Sequence, residues 1–358
     1  MGSTSSKLLE LCLHGEDWLQ DLLDRAIAEP DFLSVVIEGL NDRFEPRLVE
    51  VYERLFTQVI RKIAPELRLR RRTQAEPPKT IDRVYILSRV TLGADVAVTS
   101  VMLDAMKKRY PEAKIIFVGP RKSYELFQAD PRIEHMDAPY ARNGSLVERL
   151  RASGRLWFDD GIVIDPDSRL TQLGLISVCD ESRYFWFQSR SLPGGRLPDI
   201  AADWVRLVFS VEARPYVAPI PAAGPAAEVT ISLGVGENEA KRIPGDFECR
   251  LLQIFGGRSV LVDKGGTPDE RARVEQAIPQ GMRSHDGSFA SFAAEIMRSK
   301  LYIGYDSAGG HVASACGVPA ICIFKGAVNE RFLERWKPLG TVLRGDESEI
   351  LAYIKDRC

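Results

Sequence analysis

Apolar residues recur along this chain in two rhythms, and the change between them near residue 80 divides it. In the first part Leu8, Leu9, Leu11, Trp18, Leu19, Leu22 and Leu23 fall at helical spacing, as do Leu48, Val51, Tyr52, Leu55, Phe56, Val59 and Ile60. These faces must pack on something, so residues 1–80 read as a helical extension that caps the main body. Self-association or partner docking through the same residues stays open. A basic run at 68–72 and a linker at 76–80, EPPKT, close this part.

Beyond the linker the apolar residues come in short β-prone runs. Strands are predicted at 84–87, 113–118 and 161–165, with an amphipathic helix over 97–110 completing a βαβ unit. The Pro-rich stretch 215–225 cannot build a sheet interior and marks a second boundary. Strands at 228–233, 259–263, 301–304 and 320–324, separated by helical segments, then form a second unit. The expectation is an α/β protein of two Rossmann-like doubly wound domains facing a cleft, covering 81–218 and 219–358, behind the extension.

Composition narrows the function. Lys and Arg (48) nearly balance Asp and Glu (50), so no whole-chain field marks nucleic acid as the main partner. The 6 cysteines form no CxxC pair and share no ligand spacing with the 4 histidines, which argues against a zinc site and for reduced thiols. No apolar run approaches the roughly 20 residues of a membrane span, and the N-terminus lacks the layout of a secretion signal. A cytoplasmic protein is the expectation.

Ligands of open parallel sheets bind beyond the carboxyl ends of strands. After the first strand, 88–95 (SRVTLGAD) offers Asp95 as a carboxylate at a helix start, fit to cap the helix or to act as a base. The turn at 306–311 is richer. Asp306 and Ser307 form an N-cap pair, and the amides of Ala308, Gly309, Gly310 and His311 then lack intrahelical partners, an arrangement that attracts an anion. His311 in a first helical turn should stay neutral. Gly234 opens a glycine-bearing loop that leads to Lys241 and Arg242, a cationic turn suited to phosphate or simply to solvent. Asp269 and Glu270 follow the next strand, where they can cap a helix or accept from ribose hydroxyls. Neither first turn carries GxGxxG, so a dinucleotide dehydrogenase is disfavoured, and no acidic pair sets up a divalent-metal site.

Residues 304–324, GYDSAGGHVASACGVPAICIF, resemble the signature of glycosyltransferase family 9, the lipopolysaccharide heptosyltransferases, written roughly G-x-D-S-G-x-x-H-x-A-A-A-x-G-x-P. Arg89 to Asp95, the MKKRYP run at 106–111, KRIP at 241–244 and GGTPDE at 265–270 resemble further segments of that family. The resemblance covers 81 to about 345. It departs at Ala94 and Ala308, where the family has glycine, and at Ile243, where it has tryptophan.

The resemblance implies a GT-B architecture with the acceptor on the first domain and the nucleotide-sugar on the second. It implies metal-independent inverting transfer without a cofactor, from a nucleoside-diphosphate sugar such as ADP-heptose to a glycan or lipid-linked glycan acceptor at the cytoplasmic face of the inner membrane. Asp95 would be the general base, Lys241 and the amides 308–311 would meet the diphosphate, Asp306 would serve sugar hydroxyls or capping, and Glu270 would hold the ribose. A non-catalytic nucleotide-sugar or glycan-binding protein and a nucleotide-sugar epimerase are the alternatives.

Overall fold

Two parallel sheets carry the fold. The structure, a computed structural model, describes residues 3–71, 75–138, 140, 144–236, 238–326 and 329–357; Arg72 of the basic run and Glu237 of the glycine-bearing loop lie outside them. In the N-terminal lobe the strands are β1 (Arg83–Leu87), β2 (Lys114–Gly119), β3 (Ile133–Asp137), β4 (Ile162–Asp165) and β5 (Tyr184–Trp186), in the order β3-β2-β1-β4-β5. In the C-terminal lobe they are β6 (Val229–Ser232), β7 (Val260–Asp263), β8 (Arg283–His285), β9 (Leu301–Tyr305), β10 (Ala320–Ile323) and β11 (Thr341–Leu343), in the order β11-β10-β9-β6-β7-β8. All pairings are parallel, and the strand order reverses beside β1 in one sheet and beside β6 in the other. The carboxyl ends of those two strands are therefore where a ligand crevice opens.

The interior strands are continuous apolar runs because both faces are covered. Val84, Ile86 and Leu87 on β1 and Ile231 and Ile303 on β6 and β9 are fully buried. One hydrophobic cluster runs from Val84, Ile86 and Phe117 in the first lobe to Phe292, Tyr302 and Val312 in the second, so the lobes are joined by packed side chains as well as by the chain.

The predicted helix over 97–110 starts earlier. Leu92–Ala94, a π-helical turn at Asp95–Thr99 and Ser100–Arg109 make one helical run, and such a π turn inserts a residue where the backbone must re-aim.

The extension folds as helices Thr4–His14, Gln20–Ala28 and Pro46–Ile63 around shorter turns. Leu48, Tyr52, Leu55, Phe56 and Val59 form a core with Leu146, Leu150, Leu173, Leu175 and Ile176 of the first lobe. The basic run is partly structural: the Arg70 side chain is 5% exposed and lies over the rings of Tyr184 (3.8 Å) and Trp186 (5.2 Å). Among the described residues no helix is long and apolar enough to cross a membrane.

Candidate active site at the lobe boundary

The second lobe presents its loops around helix Ala308–Cys316, which follows β9. Its length is set by sequence: Gly317 takes the left-handed conformation at φ 70° and bonds back to Ala313 and Ser314, while the Val318 amide reaches Ala313 O at 2.9 Å. The other end is open. Ser307 is the N-cap but makes no side-chain cap bond, so the first-turn amides are unprovided for by the cap. Gly309 is required there, since a Cβ would come within 2.2 Å of the buried Tyr302 hydroxyl.

Asp306 does not cap the helix as expected. Its Oδ2 accepts from Lys241 Nζ at 2.6 Å, and its carbonyl accepts from the same ammonium at 3.2 Å. The structure thus brings Lys241, at the end of a 3-10 turn Glu239–Lys241, to the start of the 308–316 helix. An ammonium has three donors, so one remains for a further acceptor.

Glu270 departs from the ribose role. One carboxylate oxygen accepts from the amides of Val235 (2.6 Å) and Gly236 (2.8 Å), the other from those of Gly266 (3.0 Å) and Thr267 (3.2 Å). With the residue 1% exposed, it ties the loop after β6 to the loop after β7. Gly234 lies where these loops cross, a Cβ there standing 3.4 Å from Glu270 and from Gly265. The N-terminal capping alternative is the one the geometry supports: Thr267 and Glu270 form a reciprocal capping box.

Asp95 sits at the lobe boundary but is closed off. It is fully buried, with Oδ1 accepting from the Arg89 amide (2.7 Å) and Thr99 Oγ1 (2.8 Å) and Oδ2 from Ser88 Oγ (2.7 Å). Burial raises its pKa, and those hydrogen bonds oppose the rise. Its carboxylate fixes the loop after β1, where Val90 holds a left-handed φ of 60°, a strained state for a β-branched residue.

That loop packs directly on the 308–316 helix. A Cβ on Gly93 would stand 3.1 Å from His311 Cδ2, 3.4 Å from Ala308 Cα and 3.7 Å from Ala308 Cβ. This accounts for two departures together: the glycine has moved from position 94 to 93, where it faces the methyl that Ala308 adds. Ile243, the third, is buried among Val235, Phe247 and Tyr305. His311 is buried, edge-on to Trp336 at 5.9 Å, and its pKa is lowered to about 4. The neutral imidazole agrees with expectation, but burial leads the shift, with Lys241 and Arg196 adding to it and Asp306 opposing.

Three groups near this boundary carry no sequence signal. Arg190 is buried and bonds Asp167 twice, at 2.9 and 3.0 Å, while also donating to Asn41 of the extension. Arg169 stands in the 3-10 turn Arg169–Thr171 after β4. Asp42, at the end of helix Glu38–Asn41, is exposed to solvent. Among the described residues no group of three or more His, Cys, Asp or Glu side chains is placed to hold a metal ion.

No family model matches the sequence, and no curated protein matches it as a relative. Solved structures do match its shape. Escherichia coli heptosyltransferase WaaC with ADP-2-deoxy-2-fluoro heptose superposes with a TM-score of 0.56 at 14% identity, over 77% of this chain and 100% of that one. A glycosyltransferase family 9 structure from Veillonella parvula gives 0.56 at 16%, over 79% and 93%. Escherichia coli ADP-heptose lipopolysaccharide heptosyltransferase II gives 0.54 at 12%, over 76% and 98%. The chain therefore has the heptosyltransferase-like GT-B fold.

Proposed function

We propose that the protein is a glycosyltransferase that moves a sugar from a nucleoside diphosphate to an acceptor hydroxyl in the cleft between its lobes. The observation that carries the reading is the ion pair of Lys241 with Asp306 at the uncapped start of helix Ala308–Cys316. A diphosphate needs a cation and free amides, and both are held together there.

In this reading the leaving diphosphate takes the remaining donor of Lys241 and the amides of residues 308–311. Neutralising the departing charge with preset donors needs no metal ion. Asp306 keeps Lys241 in place and stays away from the phosphates, which like charges at short range would repel. Because Gly93 packs on Ala308 and His311, donor entry parts the lobes at this contact. Inversion follows if the acceptor attacks once, from the face opposite the diphosphate. ADP-heptose is the donor we expect, since the structural neighbours include heptosyltransferases, one of them with an ADP-heptose analogue. The acceptor is expected to be a glycan or lipid-linked glycan that the first lobe receives from the cytoplasmic side of the membrane.

A panel of ADP-, UDP-, GDP- and dTDP-sugars tests the proposal by thermal shift and by turnover. The expected result is selective stabilisation by one donor, with Lys241→Ala weakening its binding about 10- to 100-fold, the scale of a charge-assisted hydrogen bond. An altered free sugar without acceptor would make the protein an epimerase, and binding without any turnover would make it a carrier.

A further inference from the structure

The long helix of the extension, Pro46–Ile63, carries two stripes. Leu48, Tyr52, Leu55, Phe56 and Val59 form its packed face, and beside them Glu50, Glu53, Arg54, Thr57, Gln58 and Arg61 recur at three- and one-residue steps along one flank. A polar flank of this kind normally faces open water. Here it walls a groove of about 500 Å³, whose opposite wall is Leu69, Arg70, Gly174 and Leu175. That volume falls within the range of small-ligand sites, about 300–1,000 Å³.

Both walls are held in place. The Arg70 side chain, 5% exposed, donates to the Gly174 carbonyl at 3.2 Å and to Glu181 Oε2 at 3.4 Å, and lies over Tyr184 and Trp186. Its Nε is buried and meets no acceptor among the described residues, so the guanidinium is kept there at a cost to the fold. Gly174 takes a left-handed φ of 80°, and a Cβ on it would strike the Trp186 indole at 2.4 Å, which keeps this stretch of wall bare. The helix is pinned just before it starts. Asn41 accepts from Arg190 of the first lobe, while Phe44 packs its ring 6.4 Å from that of Phe332 and Glu45 pairs with Arg331 at 3.7 Å, both on helix Glu330–Trp336 of the second. The groove also connects to the lobe boundary. Glu53 accepts from Gln188 at 3.4 Å, and the adjacent Ser189 accepts from Arg89 at 3.2 Å. Arg89 in turn lies over Trp336, which packs on His311.

The side chains of the walls define a class of ligand. Thr57, Gln58 and Arg61 donate, Glu50 and Glu53 accept, and Leu69 and Leu175 add apolar surface. Arg54 is already engaged by Asp17 at 2.8 Å, whereas the Arg61 guanidinium has no partner among the described residues and keeps its donors for a ligand. A polyanion would meet the two carboxylates, and an apolar chain would leave the polar wall unpaired. A sugar chain satisfies both walls, since its hydroxyls donate and accept while its C–H faces cover apolar side chains. We infer that this groove is a glycan subsite, which holds the non-reacting sugars of the acceptor and thereby leads its terminal hydroxyl along the first lobe to the cleft. The inference rests on the glycosyltransferase reading, and it gives the extension a task in acceptor choice rather than in bond making.

The test uses lipid-free oligosaccharides released from lipopolysaccharide by mild acid, graded from a monosaccharide upward, as acceptors for the full chain with the donor found by the panel. The acceptor KM should fall about 10-fold or more from the monosaccharide to the longer chains, the scale of one charge-assisted hydrogen bond. Thr57→Trp, which fills the groove, should bring the longer chains back to the KM of the monosaccharide. Arg61→Ala should raise their KM by about 10-fold. In both variants the effect should fall on KM and not on kcat, whereas a fold defect would remove active enzyme and lower kcat. A KM that does not depend on acceptor length, or a length dependence that both variants keep, overturns the inference and leaves the transferase reading standing. A wild type that turns over no donor overturns that reading and, with it, the acceptor role of the groove.

Discussion

Asp95 and Asp42 present the same functional group at one boundary between lobes, in opposite surroundings. Asp95 is sealed, with three donors on its two oxygens, while Asp42 is exposed and has no side-chain bond among the described residues. The first is a carboxylate that the fold itself uses, and the second is one that faces solvent. A motif locates a residue along the chain, whereas exposure and hydrogen bonding decide which of these tasks it can perform.

The largest effect expected from breaking this contrast lies in the shell that holds the Asp42 loop. Arg190→Ala leaves Asp167 as a buried charge without its cation and frees Asn41. Removing one partner of such a pair costs about 3–5 kcal/mol, readable as a lower midpoint in urea unfolding. A loss below about 1 kcal/mol would mean that the extension is pinned elsewhere. Next comes truncation of the carboxylates themselves. Asp95→Ala strands the Arg89 amide and the Ser88 and Thr99 hydroxyls, and should destabilise by about 2–3 kcal/mol. Asp42→Ala should change stability by no more than about 0.5 kcal/mol, as at an ordinary surface site. Equal losses would erase the comparison.

How much of this could be read from sequence follows the same division. The helix at Ala308–Cys316 was legible because its turn, small residues and terminal glycine are contiguous. Interior strands were legible as apolar runs, with ends correct to about a residue. Edge strands were not: β3 reads IEHMD and β8 reads RSH, because only one face or neither is buried. Glu270 had a readable pattern, Thr267 and Glu270 at capping-box spacing, which competed with the ribose role that the resemblance implied. The seal around Asp95 was not readable, since Ser88, Arg89 and Thr99 are near in sequence but nothing local sets where they point. Asp42 was beyond reach altogether: the anchors of its loop, Arg190 and helix Glu330–Trp336, lie far along the chain, and it falls outside the resemblance.

Acidity sharpens the contrast through two groups with opposite linkage. His311 is held neutral, its pKa lowered to about 4 from 6.5. As pH falls from 6.5 toward 4 the unfolded chain takes up a proton that the folded one refuses, so stability drops by about 1.4 kcal/mol per pH unit across that window. Asp42 works the other way. Its raised carboxyl takes up a proton in the folded state first, so its contribution to stability is present below the unfolded value of 3.8 and is lost as pH rises through about 6. Its exposure to solvent makes that term the smaller one. Replacing His311 by Asn should therefore flatten the acid loss of stability, while Asp42→Asn should steepen it slightly, both read from unfolding midpoints at pH 4.5 to 7.5. The same sign for both would mean that one of the two groups is shifted in the opposite direction to that given.

The smallest effect on stability, and the finest probe of the boundary, is expected from Gly93→Ala. Gly93 lies in the short helical turn Leu92–Ala94, where alanine gains up to about 1 kcal/mol in helix propensity. Against this, the new Cβ meets His311 Cδ2 at 3.1 Å and the Ala308 backbone at 3.4 Å. His311 is backed by Trp336 and cannot retreat, so the contact must widen, at a cost of about 1 kcal/mol or more. The two terms nearly cancel in overall stability, but only the second acts on the closed contact between lobes. If the donor enters by parting that contact, the variant has already met part of the opening cost, and donor affinity should rise a few-fold. Weaker binding in the variant would mean instead that loop 88–95 stays against the 308–311 turn with the donor in place, and that the diphosphate approaches Lys241 from another side.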